Sequence, residues 1–434
     1  MGSGLDETVV PSPLLAEGGP SAPSHAELTL ASTGAELDRD WLAVGASAVG
    51  MVLCVGTLAL YSFGVFVRPL TAEFGWSRTD LFAALSFFQF GLAFCSPVWG
   101  VVLDRFGPRR VIVFSLVALS FLVASLGLLT ANLWHLYLVF LAIPLLGGGA
   151  SPLGYSAIMV RRFDRKLGFA LGLSLLGVGL GGAVLPPLAQ FLLSEFGWRE
   201  AYVALGALTL LVTLPAALVA TRNASGPVRR GAAAALPIGP MLRTRAYFLM
   251  AATFVLLGLV SVGVLANFVP MMVDHGFTPP EAARIAGLVG LSVVVVRGGL
   301  GWVLDRVHAP YVLAVVAVTA GAVPLLLAYG EGPATGYLAA VLLGSAIGAE
   351  VDFVSFLVRR YFDQSAFGRL YGIAFGLYIL GTAIGPVTLG YSFDHLGGYR
   401  AGLLVFAVLS LIAAVAALAM PRYDAPKLQH AVPA

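Results

Sequence analysis

Twelve apolar segments, each long enough to cross a membrane, follow one another along this chain of 434 residues. A helix needs about 20 mainly apolar residues to cross the roughly 30 Å of hydrocarbon in a bilayer. The segments lie at 42–66, 81–103, 111–130, 134–158, 168–193, 201–220, 246–272, 283–304, 311–329, 335–358, 368–391 and 400–420. Because 59% of the residues are hydrophobic and only 11% are charged, the chain is predicted to be an all-α, multi-pass membrane protein.

The basic residues predict how the segments are oriented. Lysine and arginine favour the cytoplasmic side, and most of the 25 basic residues fall on one side if both termini are cytoplasmic. The longest connection divides the twelve spans into two sets of six. The predicted organisation is a disordered N-terminal tail at 1–40, a six-helix half at 41–220, a cytoplasmic linker at 221–245, a second half at 246–420 and a C-terminal tail at 421–434.

The two sets of six spans contain matching sequences, which indicates an internal duplication. The matches, in the same order in each half, are GVVLDR (100–105) with GWVLDR (301–306), VRRF (160–163) with VRRYF (358–362), Gly177 and Gly181 with Gly381 and Gly385, and FGWRE (196–200) with GGYRA (397–401). A duplicated set of six spans is the usual build of a secondary transporter whose site lies between the halves.

One arginine lies deep in an apolar span, in the stretch LSVVVVRGGLGWVLDR at 291–306. Arg297 precedes Asp305 by eight residues, which places it roughly 12 Å from the end of its helix, close to the middle of the membrane. Charges at that depth usually face the bundle interior, and the planar guanidinium suits a carboxylate. Arg297 is therefore predicted to bind a substrate carboxylate; the alternative is a buried ion pair with a carboxylate of the protein.

Two acidic residues of the tenth span are candidates for proton coupling. Glu350 lies at nearly the depth of Arg297, whereas Asp352 points about 200° away from Glu350 on the helix, so at most one of the two is expected to face the cavity. Removal from water favours the neutral form of a carboxyl group, which a proton carrier needs. We expect Glu350 to balance Arg297 and to take up a proton, and Asp352 to support helix packing.

The loop after the second span, GVVLDRFGPRR at 100–110, and its degenerate copy at 301–310 resemble the loop motif of the major facilitator superfamily. The resemblance extends over about 41–420 and implies two six-helix halves that move by alternating access. It also implies a gate of charge pairs at the cytoplasmic rim, although these charges could serve as topology markers alone. The gating candidates are Asp104, Arg105, Arg109, Asp305 and Arg306, with Arg161, Arg162, Arg359 and Arg360 as their possible partners.

Within that superfamily, the chain looks most like the monocarboxylate transporter family and its bacterial relatives near the oxalate:formate antiporters. The similar stretches are YSFGVFVRPLTAEFGWSRTDL (61–81) and RRFDRKLGFALGLSLLGVGLGG (161–182), although Gly168 and Phe169 interrupt the family spacing. In these carriers an arginine of the eighth span binds the carboxylate, and this role falls on Arg297. The resembling antiporters also have a lysine in the eleventh span. Here that span has Arg369 at its entry and no lysine, so a single carboxylate is expected.

Other polar residues inside spans are weaker candidates for contact with substrate. Tyr378, in the repeat partner of the fifth span, is ranked first and Tyr155 second, followed by Tyr371, Gln89 and Asn267. Each could instead form a hydrogen bond between helices.

The expected function is secondary active transport, by a proton-coupled carrier of a small organic monocarboxylate in a bacterial inner membrane. The alternatives are an exporter of drugs or amphipathic metabolites with the same fold, and a membrane sensor or scaffold that does not transport. An enzyme is not expected, because no loop can hold a catalytic domain and a phosphate-binding Gly-x-x-x-x-Gly-Lys motif is absent. The expected partners are the organic anion, the proton and the lipid bilayer; we expect no cofactor, metal or nucleic acid, and function as a monomer.

Overall fold

The structure is a computed structural model that describes residues 40–163, 166–222, 239–304, 306–362 and 367–422. The chain divides into two units, Met1–Trp41 and Leu42–Ala434, and apart from the first two residues of the first helix the features below belong to the second. Asp305, the sequence 1–39 and residues 223–238 of the predicted linker lie outside the described residues, as does the side chain of Asp352.

The described residues contain twelve helices that are long and apolar enough to cross a membrane, which confirms the predicted fold class. They are α1 Asp40–Phe74, α2 Arg78–Phe106, α3 Pro108–Leu128, α4 Leu133–Arg162, α5 Phe169–Phe196, α6 Trp198–Ala220, α7 Arg245–Asp274, α8 Pro279–Leu304, α9 Ala309–Tyr329, α10 Pro333–Tyr361, α11 Arg369–Leu396 and α12 Arg400–Leu418. Each predicted span corresponds to one helix, most of which extend a few residues further.

The first turns of α2 and α8 contain similar capping contacts at matching positions of the two halves. Ser77 and Asp80 form a capping box at the start of α2, in which each side chain accepts a hydrogen bond from the other residue's backbone N–H. At α8, Glu281 accepts hydrogen bonds from the backbone N–H and the hydroxyl of Thr278. Both pairs satisfy N–H groups that have no partner within the helix. Both helices consequently start before the predicted apolar segments.

The matched glycines make equivalent contacts in the two halves. A β-carbon at Gly177 or Gly181 of α5 would collide with backbone carbonyls of α1, and one at Gly381 or Gly385 of α11 would collide with backbone carbonyls of α7. Small residues let helix backbones approach closely inside a membrane. The helix pairs α1–α5 and α7–α11 therefore pack in the same way, as pseudo-symmetric halves require.

The halves meet mainly where α5 packs against α8 and α2 packs against α11. We call the end of the bundle with the α2–α3 loop the basic end, and the end with the α1–α2 loop the opposite end. From the middle of the bundle to the opposite end the interface is tight: Gly290 of α8 lies against the backbone of Gly182 and Ala183 in α5, and Gly390 of α11 against Arg78 in α2.

Towards the basic end the same four helices separate. The described glycines in this part of the four helices have open space beside them. A β-carbon added to any one of them would have no neighbouring atom within 4 Å among the described residues. They are Gly100, Gly172, Gly298, Gly299, Gly372 and Gly376. The space between the halves thus opens at the basic end and narrows to a closed interface near the middle of the bundle.

Candidate substrate site between the two halves

Glu350 of α10 is completely buried and accepts hydrogen bonds from two neutral side chains. The hydroxyl of Ser261 in α7 donates to one carboxylate oxygen, and the hydroxyl of Tyr378 in α11 donates to the other at 3.3 Å. The carboxylate is therefore held at the junction of three helices of the second half. A buried carboxyl group with two hydroxyl partners keeps them in either protonation state, because a hydroxyl both donates and accepts.

Arg297 of α8 is half-buried. The charges of both Arg297 and Glu350 act on the hydroxyls of Tyr61 and Tyr378. Arg297 precedes the end of α8 at Leu304 by roughly 10 Å, close to the level where α5 and α8 meet. The predicted anion-binding and proton-coupling residues thus share one polar cluster, to which the first half contributes Tyr61.

Tyr61 and Ser261 are members of this cluster that the sequence does not single out. Tyr61 belongs to a buried π-helical turn of α1, Leu58–Ser62, and its ring lies against Gly182 of α5. A single tyrosine or serine in an apolar helix usually serves packing. Only the placement of Arg297 and Glu350, both far away in the sequence, gives these two residues a polar context.

Two predicted contact residues make hydrogen bonds between helices. The amide nitrogen of Gln89 in α2 donates to the hydroxyl of Thr382 in α11, across the interface of the halves. The amide nitrogen of Asn267 in α7 donates to the carbonyl of Pro386 in α11 at 3.2 Å. Among the described residues the amide oxygens of both side chains have no hydrogen-bond partner, and substrate contact at these positions stays a prediction.

The predicted tyrosines lie in different surroundings. Tyr378 is in the cluster. Tyr155 is fully buried against Gly50 of α1, inside the first half. Tyr371 is half-buried and stacks on Phe375, with a distance of 5.6 Å between the ring centroids. The structure thus brings Tyr378 to Glu350 and Arg297 and places Tyr155 among packed helices.

The predicted gating residues of the first half lie at the basic end. Asp104 of α2 and Arg161 of α4 interact electrostatically. Arg162 donates to the backbone carbonyls of Ala220 and Arg222 at the end of α6, where a cation complements the helix dipole. Arg109 is exposed in the first turn of α3.

Several of the other gating candidates pack along neighbouring aromatic rings. The guanidinium of Arg306 lies 4.2 Å from the centroid of Trp302 and donates to the carbonyl of that residue. The guanidinium of Arg105 lies 5.4 Å from the ring centroid of Phe106, and that of Arg360 lies 5.0 Å from the ring centroid of Phe356. Arg359 is exposed. Gating by these residues and by Asp305, which lies outside the described residues, stays a prediction.

A charged cluster that the sequence did not predict closes the opposite end. The guanidinium of Arg78 in α2 makes two hydrogen bonds to Asp274 in α7, at 2.5 and 3.2 Å. It also lies 3.6 Å from the ring centroid of Phe393 and donates to the hydroxyl of Tyr399. The aromatic ring stacks on the flat face of the guanidinium, and the carboxylate accepts hydrogen bonds from the N–H groups at its edge.

Asp394 of α11 completes this closure by capping a helix of the other half. Its carboxylate accepts hydrogen bonds from the backbone N–H groups of Arg78 and Thr79, at 3.3 and 2.7 Å, and from the hydroxyl of Thr79 at 2.6 Å. The N-terminus of a helix attracts a negative charge. The closure therefore joins α2 of one half to α7 and α11 of the other.

Comparison with known proteins places this architecture in context. Residues 49–357 match the family model of the Major Facilitator Superfamily. The chain is 29% identical over 405 residues to monocarboxylate transporter 13 of Bos taurus, covering 88% of this chain and 89% of the relative. It is 28% identical to monocarboxylate transporter 11 of Mus musculus, covering 89% and 88%.

Two further proteins are similar over most of the chain. Multidrug resistance protein MdtG of Dickeya zeae is 26% identical over 379 residues, covering 86% of this chain and 91% of the relative. The crystal structure of a bacterial homologue of the human lysosomal transporter Spinster, in an inward-facing and unoccupied conformation, superposes with a TM-score of 0.63 at 15% identity. That match covers 88% of this chain and 96% of the other, and it supports the fold alone.

Proposed function

Because this chain belongs to the major facilitator superfamily, whose members are transporters and not enzymes, we propose that it is a proton-coupled carrier of a small organic monocarboxylate. The observation that carries the proposal is the cluster of Arg297, Glu350, Tyr61 and Tyr378. The cluster lies near the middle of the bundle, where the space between the halves ends. The single cation of the cluster can bind one organic anion, and its single buried carboxyl group can take up one proton. The similarity to monocarboxylate transporters supports the same function.

Arg297 is proposed to bind the carboxylate of the substrate. Its charge persists at every physiological pH, and its fork of N–H groups can hold both oxygens of one carboxylate. Tyr61 and Tyr378 lie within electrostatic range of it, so their hydroxyls are suited to complete the polar shell of the anion. Tyr371, Tyr155, Asn267 and Gln89 are retained as further candidates for substrate contact.

Glu350 is proposed to take up the coupled proton. Its two hydroxyl partners, Ser261 and Tyr378, are neutral. Arg297 is therefore proposed to balance its charge when the anion is absent. Binding of an anion to Arg297 removes that balance and favours protonation of Glu350, since two negative charges would otherwise share one cation. This linkage would make the carrier move anion and proton together. Asp352 is proposed to support helix packing.

The transport cycle is proposed to follow alternating access between the two halves. With both termini in the cytoplasm of a bacterial cell, the open basic end faces inwards and the cluster around Arg78 closes the outside. Outward opening then requires the contacts of Arg78 with Asp274 and Asp394 to break, while Asp104, Asp305 and the arginines of the basic end come together. A cysteine at Ser225, labelled only by reagents added from the cytoplasmic side, would support this orientation; labelling only from outside would contradict it.

The similarity to MdtG keeps export of amphipathic compounds as a second candidate function. Purified protein in liposomes distinguishes the two. An inward proton gradient should drive accumulation of propionate, lactate or pyruvate, with one proton per anion reported by an internal pH dye. Accumulation of none of these acids, together with proton-dependent movement of lipophilic cations, would favour the exporter.

A further inference from the structure

Three aromatic rings of α11 form a continuous row that starts at the polar cluster and runs towards the basic end. The centroids of Tyr378 and Phe375 are 5.9 Å apart with planes inclined by 25°, and those of Phe375 and Tyr371 are 5.6 Å apart with planes inclined by 10°. Residues four and seven positions apart lie on one face of a helix. The row of Tyr371, Phe375 and Tyr378, which we call the aromatic row, extends roughly 10 Å along α11.

The aromatic row lies on the side of α11 that faces the other half. Thr382, two turns beyond Phe375 on the same helix face, receives the hydrogen bond of Gln89 from α2. Nearer the basic end the halves separate, and both Tyr371 and Phe375 are half-buried. The adjacent Gly372 and Gly376 leave open space beside the rings. The row therefore borders the opening that leads to Arg297.

The fold does not require rings at these positions. The repeat register that pairs Gly177 with Gly381 pairs Phe375 with Leu171 and Tyr378 with Ser174 of α5. Since α5 packs in the first half as α11 does in the second, aliphatic and small side chains satisfy the same packing. The three rings are thus a property of one half, on the wall of the space that the substrate must pass.

We propose that the aromatic row is a subsite for a flat apolar group of the substrate, so that the transported acid is an aryl-substituted monocarboxylate. The carboxylate binds at Arg297, and the aryl group extends towards the basic end along Phe375 and Tyr371. Ring-to-ring contact with an offset or edge-on geometry stabilises such a group beyond simple burial. This inference rests on the proposed carboxylate site and specifies its substrate class.

A matched pair of acids tests the subsite. Propionate and 3-phenylpropionate share a carboxylate and an alkyl chain and differ by the ring. We expect wild-type protein in liposomes to take up both acids and to bind 3-phenylpropionate more tightly in competition assays. Phe375→Leu should weaken 3-phenylpropionate binding by roughly two- to twelvefold, the range of a lost ring contact, and leave propionate unchanged. Phe375→Trp should restore the preference.

Phe121→Leu, at a ring that is 68% exposed on α3, is the matched control and should alter neither acid. Uptake of propionate without preference for the aryl acid, or equal losses of both acids in Phe375→Leu, would overturn the subsite and leave the carboxylate site standing. Uptake of neither acid by wild-type protein would overturn the subsite, and it would overturn the proposed function as well if lactate and pyruvate are also not accumulated.

Discussion

The guanidinium of Arg78 in α2 makes two hydrogen bonds to the carboxylate of Asp274 in α7, with N–O distances of 2.5 and 3.2 Å. These residues belong to different halves and lie 196 positions apart in the sequence. Together with Asp394, which caps α2 from α11, they hold the opposite end of the bundle closed. A transporter that works by alternating access must break such contacts once in every cycle.

Loss of the Asp274 charge should therefore favour the state in which the opposite end is open. Asp274→Asn removes the charge from the pair with Arg78. Because a hydrogen bond to a charged group stabilises the closed state, its loss should shift the equilibrium between the closed and open states roughly tenfold. In protein without Cys54 and Cys95, spin labels at the exposed Glu195 and Glu331 report the separation of the halves. The distance distribution should gain a longer component.

Glu281→Gln is the control for this variant, because Glu281 is an acidic residue at the same end that caps its own helix. The distances between the two spin labels in this control should match those of the wild type. Identical distributions for Asp274→Asn and the wild type would mean that the Arg78 pair does not hold the halves together.

Tight packing between α5 and α8 predicts opposite effects for two glycines of α8. A β-carbon at Gly290 would collide with the backbone of Gly182 and Ala183, whereas one at Gly298 would have no described atom within 4 Å. Gly290→Ala should destabilise the protein by roughly 1–3 kcal/mol, as overpacking does. Gly298→Ala should be neutral or stabilising, since alanine favours a helix. Thermal unfolding in detergent compares the two; equal melting temperatures would contradict the tight interface.

Removal of the Glu350 carboxyl group should separate substrate movement from proton movement. Glu350→Gln keeps the size and the hydrogen-bonding capacity towards Ser261 and Tyr378 but has no proton to exchange. We expect exchange of labelled for unlabelled acid across the membrane to continue, and accumulation driven by a pH gradient to fall to background.

The control is Glu331→Gln, in an exposed connection between α9 and α10, which should accumulate substrate like the wild type. Full pH-driven accumulation by Glu350→Gln would exclude this residue as the proton carrier.

The helices were predictable because a membrane imposes one length and one composition on every span. Their first turns were not, since the caps of α2 and α8 are polar and precede the apolar residues. Ser77 and Thr278 each stand three residues before an acid, a pattern that indicates a capping box, and this signal could have moved both starts to the observed positions.

The site was predictable to the extent that charge is rare inside a membrane. Arg297 and Glu350 stand out in apolar runs, and the structure places both within range of the same two tyrosine hydroxyls. Arg78 did not stand out, because it lies at a predicted helix end where arginine is common. Its importance comes from Asp274, Asp394 and Tyr399, which are distant in the sequence and belong to the other half.

The central claim is that Arg297 binds the carboxylate of the substrate, and uptake of labelled propionate and 3-phenylpropionate into proteoliposomes tests it most directly. Arg297→Ala should reduce uptake of both acids to background, and Arg297→Lys should retain weaker uptake, because lysine keeps the charge and loses the bidentate geometry. Arg284→Ala, at an exposed arginine of the same helix, should transport normally. A folded Arg297→Ala protein that takes up either acid with wild-type affinity would contradict the claim.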